Sequence, residues 1–186
     1  MQVQVFDDMT QCTDAEVQRM LPLVSAQRRE QAMKYRHTFG QFCCLKSWLM
    51  LKELMDNGQW TMDNWKYNEH GKPYLEGGPY FSISHCKEGI AVAIHDTPVG
   101  IDIEAIRHAN EDLIERTMNE DERLRVMGYG LPDRMFTRLW TQKEAIVKME
   151  GTGIESFEQL QKTLDNRHWT LDTIEKEKYI VSIAYE

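Results

Sequence analysis

The chain has 186 residues, which is enough to bury a substantial core and lies near the upper end of one ordinary domain. Hydrophobic residues make up 41% and charged residues 28%, a balance typical of a globular chain rather than a disordered one. The net charge of −8 argues against a general nucleic-acid binder, because such a protein needs a basic face to release counterions from the phosphate backbone.

No segment approaches the roughly 20 apolar residues that a membrane-spanning helix needs. The most apolar candidate, residues 42–55, is interrupted by Lys46, Lys52 and Glu53. The N-terminal residues lack the basic and apolar regions of a signal peptide. We therefore expect a cytoplasmic protein whose four cysteines are small buried hydrophobic residues rather than disulfide partners.

The chain opens with a short strand and continues with helices. Val3 and Val5 alternate with polar residues, as expected of a strand with one apolar face. Thr13 begins a capping-box pattern that predicts a helix start. Helical spacing resumes after Ser25 and continues over a long segment, 39–55, which an Asn-Gly pair ends.

Turn signals and alternating apolar residues predict three strands in the middle of the chain. These strands cover residues 80–84, 90–95 and 99–104. The segment before them is ambiguous, with a possible short strand near 65–67. Because the connection at 96–98 is only three residues long, we expect the second and third strands to form an antiparallel hairpin.

The second half of the chain also places helices before strands. The predicted helices cover 111–118, a segment after an Asn119 cap, and a long stretch of about 133–150 between Pro132 and Gly151. A terminal hairpin is predicted from 168–174 and 179–185. The order predicts an α+β fold made of two similar halves, residues 1–97 and 98–186, in one compact unit.

Two acidic side chains project from one face of the third predicted strand. Because side chains alternate along a strand, Asp102 and Glu104 face one way while Ile101 and Ile103 pack inward. Two carboxylates roughly 5–7 Å apart at their Cβ atoms repel each other unless water or a cation lies between them. This pattern alone fits either a solvated sheet edge or a metal site.

The long predicted helix carries a stripe of Trp140, Glu144 and Lys148, which are spaced four residues apart. Glu144 and Lys148 fit either a surface ion pair or a functional site. Lys143 points about 100° away from Glu144 and fits either a solvated residue or a phosphate contact. His85 follows a strand and fits either a structural or a catalytic role. Three carboxylates with a nearby lysine suit Mg²⁺ or Mn²⁺ held against substrate phosphates.

Three motifs taken together resemble those of the 4′-phosphopantetheinyl transferases. They are Phe81-Ser82-Ile83-Ser84-His85, Val99-Gly100-Ile101-Asp102-Ile103-Glu104 and Trp140-Thr141-Gln142-Lys143-Glu144-Ala145-Ile146-Val147-Lys148. The segment His70-Gly71-Lys72-Pro73-Tyr74 fits the same family. The chain is most similar to the surfactin-synthetase-activating type, which is a monomer of two pseudo-symmetric α+β halves with the active site in the cleft between them.

The resemblance implies an enzyme that moves the phosphopantetheine arm of coenzyme A to a serine of an apo acyl or peptidyl carrier protein. Adenosine 3′,5′-bisphosphate is released. The implied ligands of Mg²⁺, or of Mn²⁺, are Asp102, Glu104 and Glu144. The implied catalytic residues are Glu144 and Lys148, and the implied coenzyme A contacts are Arg28, Lys72, Pro73, Ser84, His85, Asp102 and Lys148. Neither a nucleic acid nor a membrane is an expected partner.

The chain departs from the family pattern where the 3′-phosphate of coenzyme A is expected. Gln31 stands where a second cation is common, and Cys43 or Cys44 stands where an arginine is often found. The basic residues of segment 28–46 are expected to form the carrier-docking patch near the cleft. Two other readings stay open, namely a metal-dependent phosphohydrolase or nuclease, and a non-catalytic module that binds coenzyme A or a carrier protein.

Overall fold

The computed structural model describes residues 1–55, 65–165 and 168–186. These residues form two antiparallel three-stranded sheets, a short two-stranded ladder and seven α-helices. The predicted mixture of helices and strands is therefore confirmed. In the described part of the chain, no helix has the length and apolar character that a membrane span requires.

The first sheet has the strand order β1–β5–β4. Its strands are β1, Gln2–Phe6; β4, Tyr80–Cys86; and β5, Gly89–His95. Central β5 pairs with β1 on one side and with β4 on the other, where Ala91 lies opposite Ser84. The strand predicted around Val3 and Val5 and the strands predicted at 80–84 and 90–95 are therefore confirmed.

Three helices belong to this half of the chain, of which the third lies against the sheet and the first two pack on the third. They are α1, Asp14–Met20; α2, Ala26–Met33; and α3, Thr38–Met55. The predicted cap is present, since the Thr13 hydroxyl accepts a hydrogen bond from the Glu16 N–H at 3.2 Å. Phe42, Leu45 and Leu51 of α3 are fully buried and belong to the same apolar cluster as Phe81 and Ile90 of the sheet. The Asn57-Gly58 pair predicted to end α3 lies outside the described residues.

A short ladder follows, formed by β2, Lys66–Tyr67, and β3, Pro73–Tyr74. The predicted strand near 65–67 is therefore present, although it is short. The turn between the two strands uses Gly71, whose φ of +82° lies in the region that favours glycine.

The second sheet has the order β6–β8–β7 and supports the longest helix. Its strands are β6, Val99–Ala105; β7, Thr170–Glu175; and β8, Tyr179–Tyr185. The helices of this half are α4, Glu111–Thr117; α5, Glu120–Gly128; α6, Pro132–Glu150; and α7, Phe157–Lys162. The predicted Asn119 cap and the Gly151 end of α6 are confirmed. Helix α7 was not predicted, because six residues with one fully buried side chain carry little periodicity.

The predicted hairpin across residues 96–98 is wrong. Strand β6 pairs with β8, and β5 pairs with β1 and β4. Because β1 and β4 fill both edges of β5, that strand has no free edge for β6. The chain crosses instead from the first sheet to the second at this point.

The two sheets meet through apolar side chains on β5, β6 and β8. Ile101 and Ile103 are buried in one cluster with Ala91, Ala93 and Val181. This confirms that the two isoleucines of β6 face away from its acidic side chains. Strand β4 also lies beside β6, where the Ile101 N–H donates to a Ser82 hydroxyl at 3.0 Å.

Candidate active site

Gly100 allows helix α6 to lie directly against strand β6. A Cβ atom at this position would lie 1.9 Å from the Ala145 carbonyl oxygen and 2.4 Å from the Met149 nitrogen. Any other residue would therefore push the helix away from the strand. Because side chains alternate along a strand, Asp102, two residues after Gly100 on β6, faces the same helix.

A lysine of α6, an aspartate of β6 and a serine of β4 meet at this junction. Lys148 Nζ lies 2.6 Å from Asp102 Oδ1 and 2.9 Å from Ser84 Oγ, and Ser84 donates to Asp102 Oδ1 at 2.7 Å. The structure therefore brings together residues from all three motifs. The alternative of a surface ion pair between Glu144 and Lys148 is not seen among the described residues, because Lys148 pairs with Asp102.

Asp102 is a buried carboxylate with only part of its hydrogen-bonding capacity used. Its side chain is 4% exposed. Oδ2 has no hydrogen-bond partner within the described ranges, whereas Oδ1 is shared by Lys148 and Ser84. A buried carboxylate oxygen in this state is costly unless a donor or a cation approaches it.

Two more carboxylates lie close enough to interact with Asp102. Burial raises the pKa of Glu144 to about 7, and the negative charge of Asp102 adds to this rise while Lys148 opposes it. Burial and then Asp102 also raise the pKa of Glu104. The charge of Asp102 thus disfavours the ionised form of both glutamates, and a cation placed among the three side chains would relieve that repulsion.

The donor chemistry of these carboxylates fits a hard divalent ion such as Mg²⁺ or Mn²⁺. The orphaned Oδ2 of Asp102 is the feature that points most directly to such an ion. Nevertheless, among the residues that the structure describes, no three His, Cys, Asp or Glu side chains form a group that could hold a metal ion in their present positions. The predicted ligand set therefore stays a prediction.

A pocket of about 370 Å³ lies beside the cluster and is lined by Lys72, Pro73, Ser82, Glu144 and Lys148, among others. Its wall is closed by contacts between the turn after β2 and the end of α6. Lys72 Nζ donates to the Met149 carbonyl at 2.8 Å and to the Val99 carbonyl at 3.3 Å. Burial lowers the pKa of Lys72 to about 8. Lys72 therefore has a structural task here in addition to lining the pocket.

A second, smaller pocket of about 190 Å³ adjoins the first and shares Pro73 and Ile83 with it. Arg28 lines this second pocket and is only 7% exposed. Its guanidinium lies 4.4 Å from the centre of the Trp65 ring. His85 also lines the second pocket, and burial followed by the charge of Lys148 lowers its pKa. Arg28 and His85 thus line the adjoining pocket, and His85 remains close enough to Lys148 and Asp102 to interact with their charges.

Lys143 is neither the solvated residue nor the phosphate contact that the sequence predicted. It is fully buried, and Nζ donates to Glu122 Oε2 at 2.7 Å and to the carbonyls of Thr117 at 3.0 Å and Leu160 at 2.5 Å. Lys143 therefore ties α6 to α4, α5 and α7. Asn68 was also missed, although its side chain donates at 2.8 Å to the carbonyl of Gly151, a residue that lines the first pocket.

Comparison with known proteins supports the resemblance. The model of the 4′-phosphopantetheinyl transferase superfamily matches residues 98–184. A 4′-phosphopantetheinyl transferase from Bacillus subtilis is 28% identical over 75% of this chain and 65% of its own length. The protein gsp from Aneurinibacillus migulanus is 36% identical over 47% of this chain and 38% of its own length.

A third relative extends the same result. The 4′-phosphopantetheinyl transferase Sfp from Bacillus subtilis strain 168 is 24% identical, again over 75% of this chain and 65% of its own length. The chain thus spans somewhat less than two thirds of the length of these Bacillus subtilis relatives. The predicted similarity to the surfactin-synthetase-activating type is confirmed. Residues 98–184 thus match the 4′-phosphopantetheinyl transferase superfamily, and the chain is similar to the Bacillus enzymes of that name.

Proposed function

We propose that this protein transfers the 4′-phosphopantetheine arm of coenzyme A to a serine of an apo acyl or peptidyl carrier protein. The observation that carries the proposal is the meeting of Ser84, Asp102 and Lys148 beside Glu144 at the edge of a pocket. Such a group of charges suits the binding and cleavage of a pyrophosphate. The match to the superfamily favours the transferase over other pyrophosphate chemistry.

We further propose that the active site lies in a cleft between two pseudo-symmetric halves, residues 1–97 and 98–186. Each half contains a three-stranded antiparallel sheet and one long helix, α3 or α6. The 370 Å³ pocket is lined by residues of both halves, for example Lys72 and Glu144. A substrate in this pocket would therefore contact both halves at once.

In this proposal coenzyme A spans both pockets. Lys148 and Ser84 would hold the pyrophosphate directly, and Asp102 would do so through the metal ion that it would bind. Lys72 and Pro73 would line the adenine pocket. Arg28 and His85 would contact the one remaining phosphate, at the 3′ position, from the adjoining pocket.

Asp102, Glu104 and Glu144 would hold Mg²⁺, with Mn²⁺ as an alternative hard ion. The support is the orphaned oxygen of Asp102 together with the raised pKa values of both glutamates. When bound, the ion would supply positive charge near the bridging oxygens of the pyrophosphate.

Glu144 is the proposed base for the carrier serine. A serine hydroxyl is a weak nucleophile, so a group near it must accept the proton as the oxygen attacks phosphorus. A pKa of about 7 suits that task near neutral pH. The new bond joins the serine oxygen to the phosphorus of phosphopantetheine, and the bond to adenosine 3′,5′-bisphosphate breaks. Lys148 would stabilise the charge that the leaving bisphosphate gains.

The proposed partners are coenzyme A and an acidic carrier protein, without a nucleic acid or a membrane. Because the enzyme itself carries a net charge of −8, docking would depend on a local basic patch, proposed to lie in segment 28–46. The enzyme would act as a cytoplasmic monomer. Charge reversal in this segment that leaves carrier affinity unchanged would place the docking surface elsewhere.

Incubation with coenzyme A, Mg²⁺ and a panel of apo carrier proteins tests the activity, with intact-mass measurement of the carriers. We expect one phosphopantetheine to be added to at least one carrier. Glu144→Gln should abolish the addition while largely sparing coenzyme A affinity. Glu150→Gln, an exposed position on the same helix, is the matched control and should retain activity. Breakdown of coenzyme A without any carrier modification would favour a hydrolase instead.

A further inference from the structure

The second pocket carries little positive charge for a site that would receive a phosphorylated nucleotide. Among the described residues that line it, Arg28 is the only lysine or arginine. The remaining polar or aromatic lining consists of neutral groups: Gln31, Tyr35, Cys43, Cys44, Ser47, Trp65, Tyr67 and a histidine, His85, with a lowered pKa. This pocket therefore offers a 3′-phosphate only one cationic side chain from the described part of the chain.

Most of the Arg28 guanidinium is already used inside the protein. Nε and Nη2 both donate to the Cys44 carbonyl, at 3.1 Å and 2.8 Å, and Nη2 also lies 3.5 Å from the Ser47 hydroxyl. The Trp65 ring covers the guanidinium at 4.4 Å. At most one of the three guanidinium nitrogens is thus left for a ligand, which excludes the two-pronged contact that arginine commonly makes with phosphate.

The neighbouring lysines do not compensate for this shortage. Lys34 Nζ donates to the Gln31 side chain at 3.2 Å on the exposed side of α2. Lys46 Nζ lies over the Phe6 ring, 4.1 Å from its centre. Neither lysine is among the described residues that line the pocket. Neither lysine therefore adds positive charge to the lining of this pocket.

From these contacts we infer that the protein discriminates poorly between coenzyme A and 3′-dephospho-coenzyme A, and that Gln31 is the position that determines this tolerance. The inference rests on the proposed function and names its donor specificity. A lysine at position 31 would add a cation at the wall of the pocket, beside Arg28. The neutral amide of Gln31 cannot supply that charge.

The test compares the two donors at a fixed concentration of one accepted carrier protein. We expect kcat/KM for coenzyme A to exceed that for 3′-dephospho-coenzyme A by no more than about tenfold, which corresponds to about 1.4 kcal/mol. Gln31→Lys should raise this ratio by about tenfold or more. Gln18→Lys makes the same chemical change at an exposed position of α1 outside the pocket lining, and it should leave the ratio unchanged.

Calorimetric binding of the two donors in the presence of Mg²⁺ gives a second readout that does not require catalysis. The affinity ratio should also be tenfold or less in the unaltered protein and should rise in Gln31→Lys. A larger ratio in the unaltered protein, or no rise in the variant, overturns the inference. If neither donor is transferred to any carrier, the proposed function fails, and the affinity ratio still decides the inference about Gln31.

Discussion

Helix α6 carries two lysine–carboxylate pairs, five residues apart, that the protein uses in opposite ways. Lys143 is 0% exposed and pairs with Glu122 between four helices, whereas Lys148 is 30% exposed and pairs with Asp102 beside a pocket. The N–O distances are similar, at 2.7 Å and 2.6 Å. Distance alone therefore does not distinguish a structural ion pair from one in a candidate active site.

The difference lies in what surrounds each pair. The three protons of Lys143 have three oxygen acceptors, of which two are backbone carbonyls. Lys148 has two acceptors and lines the larger pocket, and Asp102 interacts with two further carboxylates. The carboxylates of both pairs, Glu122 and Asp102, each keep one buried oxygen that has no partner among the described residues. The crowding of negative charge around Asp102 marks its pair as the one that a ligand would complete.

The largest effect is expected from breaking the structural ion pair between Lys143 and Glu122. Lys143→Met should lower the free energy of unfolding by about 3–5 kcal/mol, because it leaves Glu122 buried without its cation. Denaturant-induced unfolding measures the loss. Lys162→Met, which removes an exposed pair with Glu158, is the matched control and should leave stability almost unchanged.

A double variant separates the loss of a partner from the loss of packing. Lys143→Met together with Glu122→Leu should recover more than half of the lost stability, since apolar residues of similar volume can replace a buried ion pair. Mg²⁺ should stabilise neither variant more than it stabilises the unaltered protein. If Lys143→Met alone is as stable as the unaltered protein, Lys143 does not hold the helices together.

The next effect concerns the pair beside the pocket. Lys148→Met should reduce kcat/KM for carrier modification by about a hundredfold, or about 2.7 kcal/mol, because charge on the leaving bisphosphate loses its cation. Stability should fall less than in Lys143→Met, since Lys148 is partly exposed. Mg²⁺ should restore much of that stability by approaching Asp102 instead. A variant that unfolds as easily as Lys143→Met, with or without Mg²⁺, would remove the distinction between the pairs.

The sequence was informative where a feature depends on local periodicity. Strand alternation placed Asp102 on the opposite face from Ile101 and Ile103, and Pro132 and Gly151 indicated the ends of α6 closely. Local patterns do not encode which distant group a side chain meets. Lys143 contacts Glu122 across 21 residues of sequence, and the sequence around either residue does not indicate that contact.

Two further outcomes depended on three-dimensional competition. The short segment at 96–98 favoured a hairpin locally, but β1 had already occupied the edge of β5 that a hairpin would need. Arg28 looked like a free phosphate contact in sequence, yet folding buries it against the Cys44 carbonyl. In both cases a partner from elsewhere in the chain occupies the hydrogen-bonding groups, namely those at the edge of β5 and those of the Arg28 guanidinium.

The smallest effect is a pH dependence that arises from Glu144. A glutamate has an ordinary pKa of 4.5, whereas in the folded protein burial and Asp102 raise the pKa of Glu144 to about 7. Between these values the folded state binds more protons than the unfolded state, so the free energy of unfolding falls as the pH rises. Relative to Glu144→Gln, the metal-free protein should lose on the order of 2 kcal/mol between pH 4.5 and 7, and the loss should level off within about one pH unit above 7.

Urea unfolding of both proteins at a series of pH values, without divalent ions, measures this difference directly. The comparison with Glu144→Gln cancels the titration of groups that both proteins share. Mg²⁺ should shrink the pH-dependent loss, because an ion that binds the ionised carboxylates offsets the repulsion that raised the pKa. Parallel stability curves for the two proteins would mean that Glu144 keeps an ordinary pKa and does not share a crowded site with Asp102. The contrast between the two lysine pairs would then lose its electrostatic basis.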